Sequence, residues 1–404
     1  MDGYIARQPI FTRDMRVYGY ELLFRNGSDD ICFSTDDADQ ATSHVAIESF
    51  CLKGVDSITG GKPAFINFTT RLLAENTATL FPKDQLVVEI LETVEPTSEI
   101  IKACSELHNK GYTIALDDFV YRPEFDPLIN LSNIIKFDFL ISSPQEISEM
   151  LKHKNVRGKR LLAEKIETFE SFDLAVKMGF TLFQGYFFSK PVTLQTKALS
   201  PMKSNYISLL KEINTDDYID YKRLAETIRT DVALSYKLLK LVNSSYYGLR
   251  HVVRDISQTI AIIGTTEMRK WVFMIALMGL SSDKPDELMK MSMIRGRFLE
   301  LLNFRSKDVL PNDVAFQAGL FSMLDVLTDM PMSSALEGMC LAEEVHDALI
   351  CHSGPLFDLI ELVTSLERSN WNKTDELTAL LDIEPGLVSK VYLEAVDWCN
   401  QMQF

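Results

Sequence analysis

Over the first half of the chain, short apolar runs alternate with segments of helical period. "YIARQPI", "VYGYELLF", "PAFINF", "QLVVEIL", "YTIALDDF", "NIIKFDF", "RLLAEKI" and "FTLFQGY" are of strand length and rich in Val, Ile, Phe and Tyr. Between them lie helix-like stretches such as "TSEIIKACSELHNKG", which opens on a Thr/Ser cap and stops at Gly111. Runs that are apolar on both faces, each followed by a crossover helix, predict a parallel sheet covered by helices. With about eight such strands, an (α/β) barrel of TIM type is the expected closure. An open doubly wound sheet is the alternative, although no Gly-rich phosphate loop follows the first strand.

After residue 191 the pattern changes. "VTLQTKALSPMKSN", between Pro191 and Pro201, is a polar connection, so residues 192–204 are expected to be a linker. Beyond it, "ALSYKLLKLVNSSYYG" places Leu234, Leu238, Leu239 and Val242 on one helical stripe, and "ISQTIAIIGTTEMRKWVFMIALMG" continues likewise. The expected organisation is a barrel over 1–191 and an all-α domain over 205–404. A chain of 404 residues is long for a single core, which suits two domains.

Composition narrows the function. Apolar residues make up 46% and charged residues 24%, enough for two ordinary cores. A net charge of −16 with no Lys/Arg-rich run argues against binding a nucleic acid polymer or an anionic lipid surface. No basic leader opens the chain and no stretch reaches the roughly 18 apolar residues that insert into a membrane, so a cytoplasmic protein is expected. Six cysteines without a C-x-x-C pair, from Cys32 to Cys399, read as reduced core residues and not as disulfides or zinc ligands.

The polar residues within the apolar runs are not random. Glu21, Asn67, Glu89, Asp117 with Asp118, Lys136 with Asp138, Glu164 and Gln184 each fall at or near the carboxyl end of a different strand. In an α/β barrel those ends meet in one cleft. Several carboxylates converging there require cations, and oxygen donors with one amide carbonyl suit Mg²⁺ or Mn²⁺ better than zinc.

These residues carry a resemblance. "ELLFR" resembles the E-x-L-x-R signature of the EAL family of cyclic di-GMP phosphodiesterases, and "INF", "VEILE", "LDDF", "IKFD", "AEKIET" and "FQGYFFSKP" are similar, in order and spacing, to its later motifs. The resemblance implies metal-dependent hydrolysis of cyclic di-GMP to linear pGpG. Glu21, Asn67, Glu89 and Asp117 would hold one cation, with Asp117 and Asp118 toward a second. Lys136 would sit by the attacking water, and Glu164 would bind metal or activate that water. Arg25 would pair with a substrate phosphate, Gln184 would lie beside the site, and Glu92 resembles the family's loop-bracing glutamate. A homodimer is left open.

Two segments depart from the family pattern. The Gly-rich loop expected after the aspartate pair is replaced by Val120, Tyr121, Arg122 and Pro123, and Pro123 forbids the same backbone path. Lys165 stands where a glycine is usual, where it would fill space or offset a cation site. The segment after Arg25 also lacks a Pro-rich loop.

In the second half, Asp231, Leu234, Ser235, Leu238, Leu239, Asn243 and Ser244 match the hallmark D-x-x-L-S-x-x-L-L-x-x-x-N-S of the HDOD module, a helical relative of the HD phosphohydrolases. Ser322 and Met323 stand where the resemblance would put the HD doublet, so no metal chemistry is expected there. Asn243 and Ser244 read as a helix C-terminal cap ahead of Gly248, with a partner-docking groove as the alternative. His346 and Asp347 read as a helix-surface pair. The resemblance implies a regulatory or output module with a protein partner. Two functions therefore stay open: a phosphodiesterase, or a non-hydrolytic cyclic di-GMP receptor or scaffold.

Overall fold

The computed structural model describes residues 3–26, 54–189, 206–207, 210, 228, 232–243, 249, 251–281, 283–303 and 310–402. The expected linker over 192–204, the segment that follows Asn26, Cys32 and Cys51, and the motif residues Asp231 and Ser244 lie outside these. By contact the chain divides into two compact units, Met1–Lys190 with Leu366–Trp371, and Pro191–Ser365 with Asn372–Phe404.

In the first unit the expected strands close into a barrel in sequence order: β1 (Gly3–Thr12), β2 (Val17–Asn26), β3 (Ala64–Phe68), β4 (Leu86–Ile90), β5 (Thr113–Leu116), β6 (Ile134–Asp138), β7 (Arg160–Glu164) and β8 (Leu182–Gln184). Strands β2 to β8 are parallel. The expectation of a wholly parallel sheet is corrected at β1, which is antiparallel to both β2 and β8. The cause is local. Thr12 N donates to Arg16 O at 2.9 Å and Met15 N to Thr12 O at 3.0 Å, with Met15 left-handed at φ 58°. A turn this short permits only an antiparallel partner, because a parallel one needs a crossover of about a dozen residues.

Strand period builds the interior in layers. Ile10, Phe65, Val87, Ala115, Ile134, Leu162 and Leu182 form one fully buried apolar cluster, with Tyr18 packed against it. Two residues further along the parallel strands, on the same face, stand Asn67, Glu89, Asp117, Lys136, Glu164 and Gln184. The polar layer therefore lies one pleat repeat above the apolar plug, and a one-residue slip of any strand would remove its member from both.

The crossover helices carry their own stop and start signals. Ser98–Lys110 begins where Thr97 accepts from Ile100 N at 3.3 Å and ends at Gly111, φ 88°. Pro144–Leu151 opens on a capping box between Ser143 and Glu146.

The second unit is helical in its described residues. In the Thr265–Leu280 helix, Trp271, Val272, Phe273, Met274, Ile275, Ala276 and Leu277 are all buried, so the helix has no solvent face there. The helices Asp286–Asn303 and Asn312–Phe321 meet at glycines. A Cβ on Gly319 would lie 2.5 Å from Arg295 O and 2.8 Å from Gly296 Cα. Both are backbone atoms that cannot rotate away. Gly319→Ala is therefore expected to destabilise this unit by about 1–3 kcal/mol. Unchanged hydrogen-exchange protection in residues 286–303 of the variant would sink this account.

The cysteine expectation needs amendment. Cys104 and Cys399 are buried, and burial pushes the Cys104 thiol up to about 12. Cys340 and Cys351 are exposed free thiols and not core residues. Cys340 lies outside the helices, after Met332–Ala335, and Cys351 is the last residue of the short helical segment Asp347–Cys351.

Candidate active site at the barrel mouth

Lys136 sits at the centre of the polar layer. Its Nζ is 2.6 Å from Glu164 Oε1, 2.7 Å from both Glu89 Oε1 and Asp117 Oδ1, and 3.6 Å from Glu21 Oε2. The lysine side chain is fully buried, as is that of Glu89. These contacts are ionic and lack the angles of directed hydrogen bonds. Four carboxylates thus face one ammonium.

That imbalance shows in the proton affinities. Burial pushes the Glu89 and Glu164 carboxyls well above the ordinary range, Lys136 opposing it while Asp117 and Glu21 add to it. Burial works in the other direction on Lys136, but Asp117, Glu164, Glu21 and Glu89 together outweigh it and hold the ammonium well above its usual value.

Amides orient the carboxylates. Gln184 Nε2 donates to Glu21 Oε2 at 2.6 Å and to Gln8 Oε1 at 3.1 Å, and Asn67 Nδ2 donates to Glu21 Oε1 at 3.4 Å. Gln8 was not legible as a site residue, because it comes from β1, whose direction puts it mid-strand; it faces Glu21 in the β1–β2 register. Asn67 Oδ1, Glu89 Oε2 and Asp118 Oδ1 are buried without a hydrogen-bond partner. Orphaned oxygens beside excess negative charge fit a hard divalent cation bound through oxygen.

Asp117, Asp118 and Glu164 each bring a carboxylate oxygen to within 4.8 Å of the others. Asp118 is left-handed at φ 38°, and burial with Asp117 raises its carboxyl, Lys165 opposing. Lys165 Nζ is bonded to Asp138 Oδ2 and lies 3.8 Å from Asp118 Oδ2. The mouth opens into a cleft whose walls include Leu23, Leu140, Glu167 and Tyr186.

Other expected residues stand further out. Arg25 lies four positions beyond Glu21 on β2, opposite Tyr4 in the β1–β2 register. Glu92 is exposed in the turn after β4, and its charge acts on Asp118. The altered loop has anchors of its own. Phe119 N donates to Lys136 O at 3.0 Å, the Tyr121 ring stacks on His153 with centroids 3.6 Å apart, and the Arg122 guanidinium lies 4.3 Å from the centre of the Phe125 ring. Pro123 begins a short 3₁₀ turn, where its fixed φ is an asset.

In the helical unit, Ser322 Oγ donates to Gly319 O at 2.7 Å and accepts from Arg295 Nη1 at 3.2 Å, and Met323 is buried. Asn243 does cap its helix, donating to Leu239 O at 2.7 Å; its amide also brackets Val253, donating to the carbonyl and accepting from the N–H, both at 2.8 Å. His346 Nδ1 is 3.7 Å from Asp347 Oδ1 on an exposed helix end, with Cys351 close by. Among the described residues, no single helix is long and apolar enough to cross a membrane.

Comparison with known proteins finds matches in both parts of the chain. The EAL domain model matches residues 35–191 and the HDOD domain model residues 199–327. The first match begins after β1 and β2, although these strands close the barrel and β2 supplies Glu21. The uncharacterized protein YuxH of Bacillus subtilis is 36% identical over 411 residues, spanning 100% of this chain and 99% of its own length. The cyclic di-GMP phosphodiesterase CdgJ of Vibrio cholerae is 34% identical over 401 residues, spanning 99% of this chain and 93% of its own length. Among solved structures, an EAL domain protein from Listeria monocytogenes overlaps 47% of this chain and 89% of its own, with 21% identity and a TM-score of 0.36. The chain belongs to the family of EAL–HDOD proteins, in which an EAL barrel is followed by an HDOD helical module.

Proposed function

We propose that the barrel hydrolyses cyclic di-GMP to linear pGpG with a divalent cation, Mg²⁺ or Mn²⁺, and that the HDOD module regulates or relays that activity through a protein partner. The observation that carries this reading is the excess of buried carboxylate around Lys136, with oxygens of Asn67 and Glu89 left unpartnered. The 34% identity to CdgJ over nearly the full length of both chains supports the choice of substrate.

Glu21, Asn67, Glu89 and Asp117 would hold the cation, with Asp118 and Glu164 at its flank. Such a cation, when bound, offsets charge on the phosphoryl oxygens and makes a water more acidic. The residues then divide the remaining work. Glu164, whose proton affinity burial has raised, takes the proton of the attacking water as general base. Lys136 keeps its proton and offers fixed positive charge where the phosphoryl oxygens gain negative charge. Gln184 holds Glu21 in place, and Arg25 pairs with a substrate phosphate. Water adds to one phosphorus, the bond to one ribose oxygen breaks, that oxygen takes a proton from solvent, and Glu164 returns the proton it accepted to solvent. We place the protein in the cytoplasm, where this nucleotide is made and used.

A second reading has one observation behind it. The 119–125 loop is pinned by Phe119, Tyr121 and Arg122, and Lys165 is ion-paired inside the mouth. A barrel so filled suits a receptor that binds the nucleotide without turnover. Incubating the full chain with cyclic di-GMP and Mn²⁺ or Mg²⁺ separates the two. Linear pGpG that disappears on chelation supports hydrolysis; tight binding without product supports the receptor.

A further inference from the structure

We propose that Lys165 is a resident counter-cation for Asp118, so that the barrel mouth takes up one divalent cation and the ammonium occupies the Asp118 side. This rests on the cation-dependent reading above.

Asp117, Asp118 and Glu164 bring oxygens within 4.8 Å of one another, close enough to share one cation. Asp118 Oδ1 is buried without a hydrogen-bond partner, and the nearest positive charge to this carboxylate is the Lys165 ammonium, 3.8 Å from its other oxygen. That ammonium is held in place. It is bonded to Asp138 Oδ2, while Asp138 Oδ1 accepts from Leu140 N at 2.6 Å and from Ile141 N at 3.1 Å.

The backbone fixes the lysine from below. Lys165 is left-handed at φ 54°, a region glycine enters freely and lysine only at a cost. The next residue leaves it no alternative, because Ile166 N donates to Gln184 O at 2.9 Å and Ile166 O accepts from Phe187 N at 3.1 Å. Gly185 presses on the same peptide so closely that a Cβ there would meet Ile166 O at 2.1 Å. The strained lysine stands where its side chain reaches two aspartates.

The two lysines differ in what they leave over. Lys136 faces Glu21, Glu89, Asp117 and Glu164, so most of that negative charge remains for a divalent ion. Lys165 faces Asp118 and an Asp138 already served by two amides, so little charge remains to draw a second divalent ion against the repulsion of a fixed ammonium.

The test is a Mn²⁺ titration of the full chain by calorimetry, with bound ions counted by electron paramagnetic resonance. Wild type and Lys165→Arg are expected to bind one cation. Lys165→Gly and Lys165→Asn, which suit the left-handed backbone, are expected to gain a second, bound on the order of tenfold or more tightly than any second ion of the wild type. A single cation in all four chains, or two in all four with unchanged affinities, overturns the inference and leaves the hydrolytic reading standing. No cation in any of them overturns both.

Discussion

Lys136→Met is expected to weaken the barrel by about 3–5 kcal/mol, the usual cost of removing one partner from a buried ion cluster. The lysine is fully buried and touches carboxylates from four different strands or strand ends, so its loss leaves them facing each other without a counter-charge. The pH dependence has a definite sign. Glu89 and Glu164 have folded values raised above their unfolded ones, so the folded state binds more protons, and stability falls as pH rises from the ordinary carboxylate range through the raised values. Removing Lys136 raises them further. The loss is therefore largest at alkaline pH, shrinks on acidification, and shrinks when Mn²⁺ is added. Hydrogen exchange of the β4, β6 and β7 amides reads this within the barrel alone. A variant as stable as wild type at alkaline pH without added cation contradicts the central role given to the ammonium.

The second large effect is on turnover. Glu21→Ala removes a carboxylate that lies at the open end of the cluster, 3.6 Å from Lys136 Nζ and held by Gln184 and Asn67. If the cation supplies several kcal/mol of transition-state stabilisation, losing one of its ligands lowers kcat/KM on the order of 10³-fold or more. Folding should survive, because the apolar plug beneath is untouched and the residue borders the cleft. Steady-state formation of pGpG, with Mn²⁺ binding measured in parallel, checks both halves. Undiminished turnover would remove Glu21 from the site.

The fold was legible because strand length and period are written into the apolar runs, and the candidate site because polar residues interrupt those runs at one height. In "FIN", "VVE" and "IIK" the polar residue stands two positions after a buried plug residue, Phe65, Val87 and Ile134. What pattern could not show is where charges settle. That Lys136 lies among four carboxylates could not be read from the pattern, since it depends on the closure of all eight strands. Lys165 stood out only as a missing glycine; its hold on Asp138 needs the β6–β7 register, where Asp138 pairs with Glu164. Gln8 escaped because an antiparallel strand reverses which residue reaches the mouth.

The reversed first strand has a consequence for how the barrel assembles. Strand β1 bonds to β2 and to β8, so the seam of the cylinder joins Ile10 to Gln184 and Phe11 to Phe183. During synthesis the opening hairpin emerges early but has no second neighbour until the eighth strand leaves the ribosome. Until then both flanks of the growing sheet are unsatisfied edges, open to pairing with another chain. Closure of such distant strands carries a large loop entropy and makes a slow final step. A ribosome stalled before Phe183 should therefore carry a protease-sensitive sheet, and one stalled well beyond it a resistant barrel.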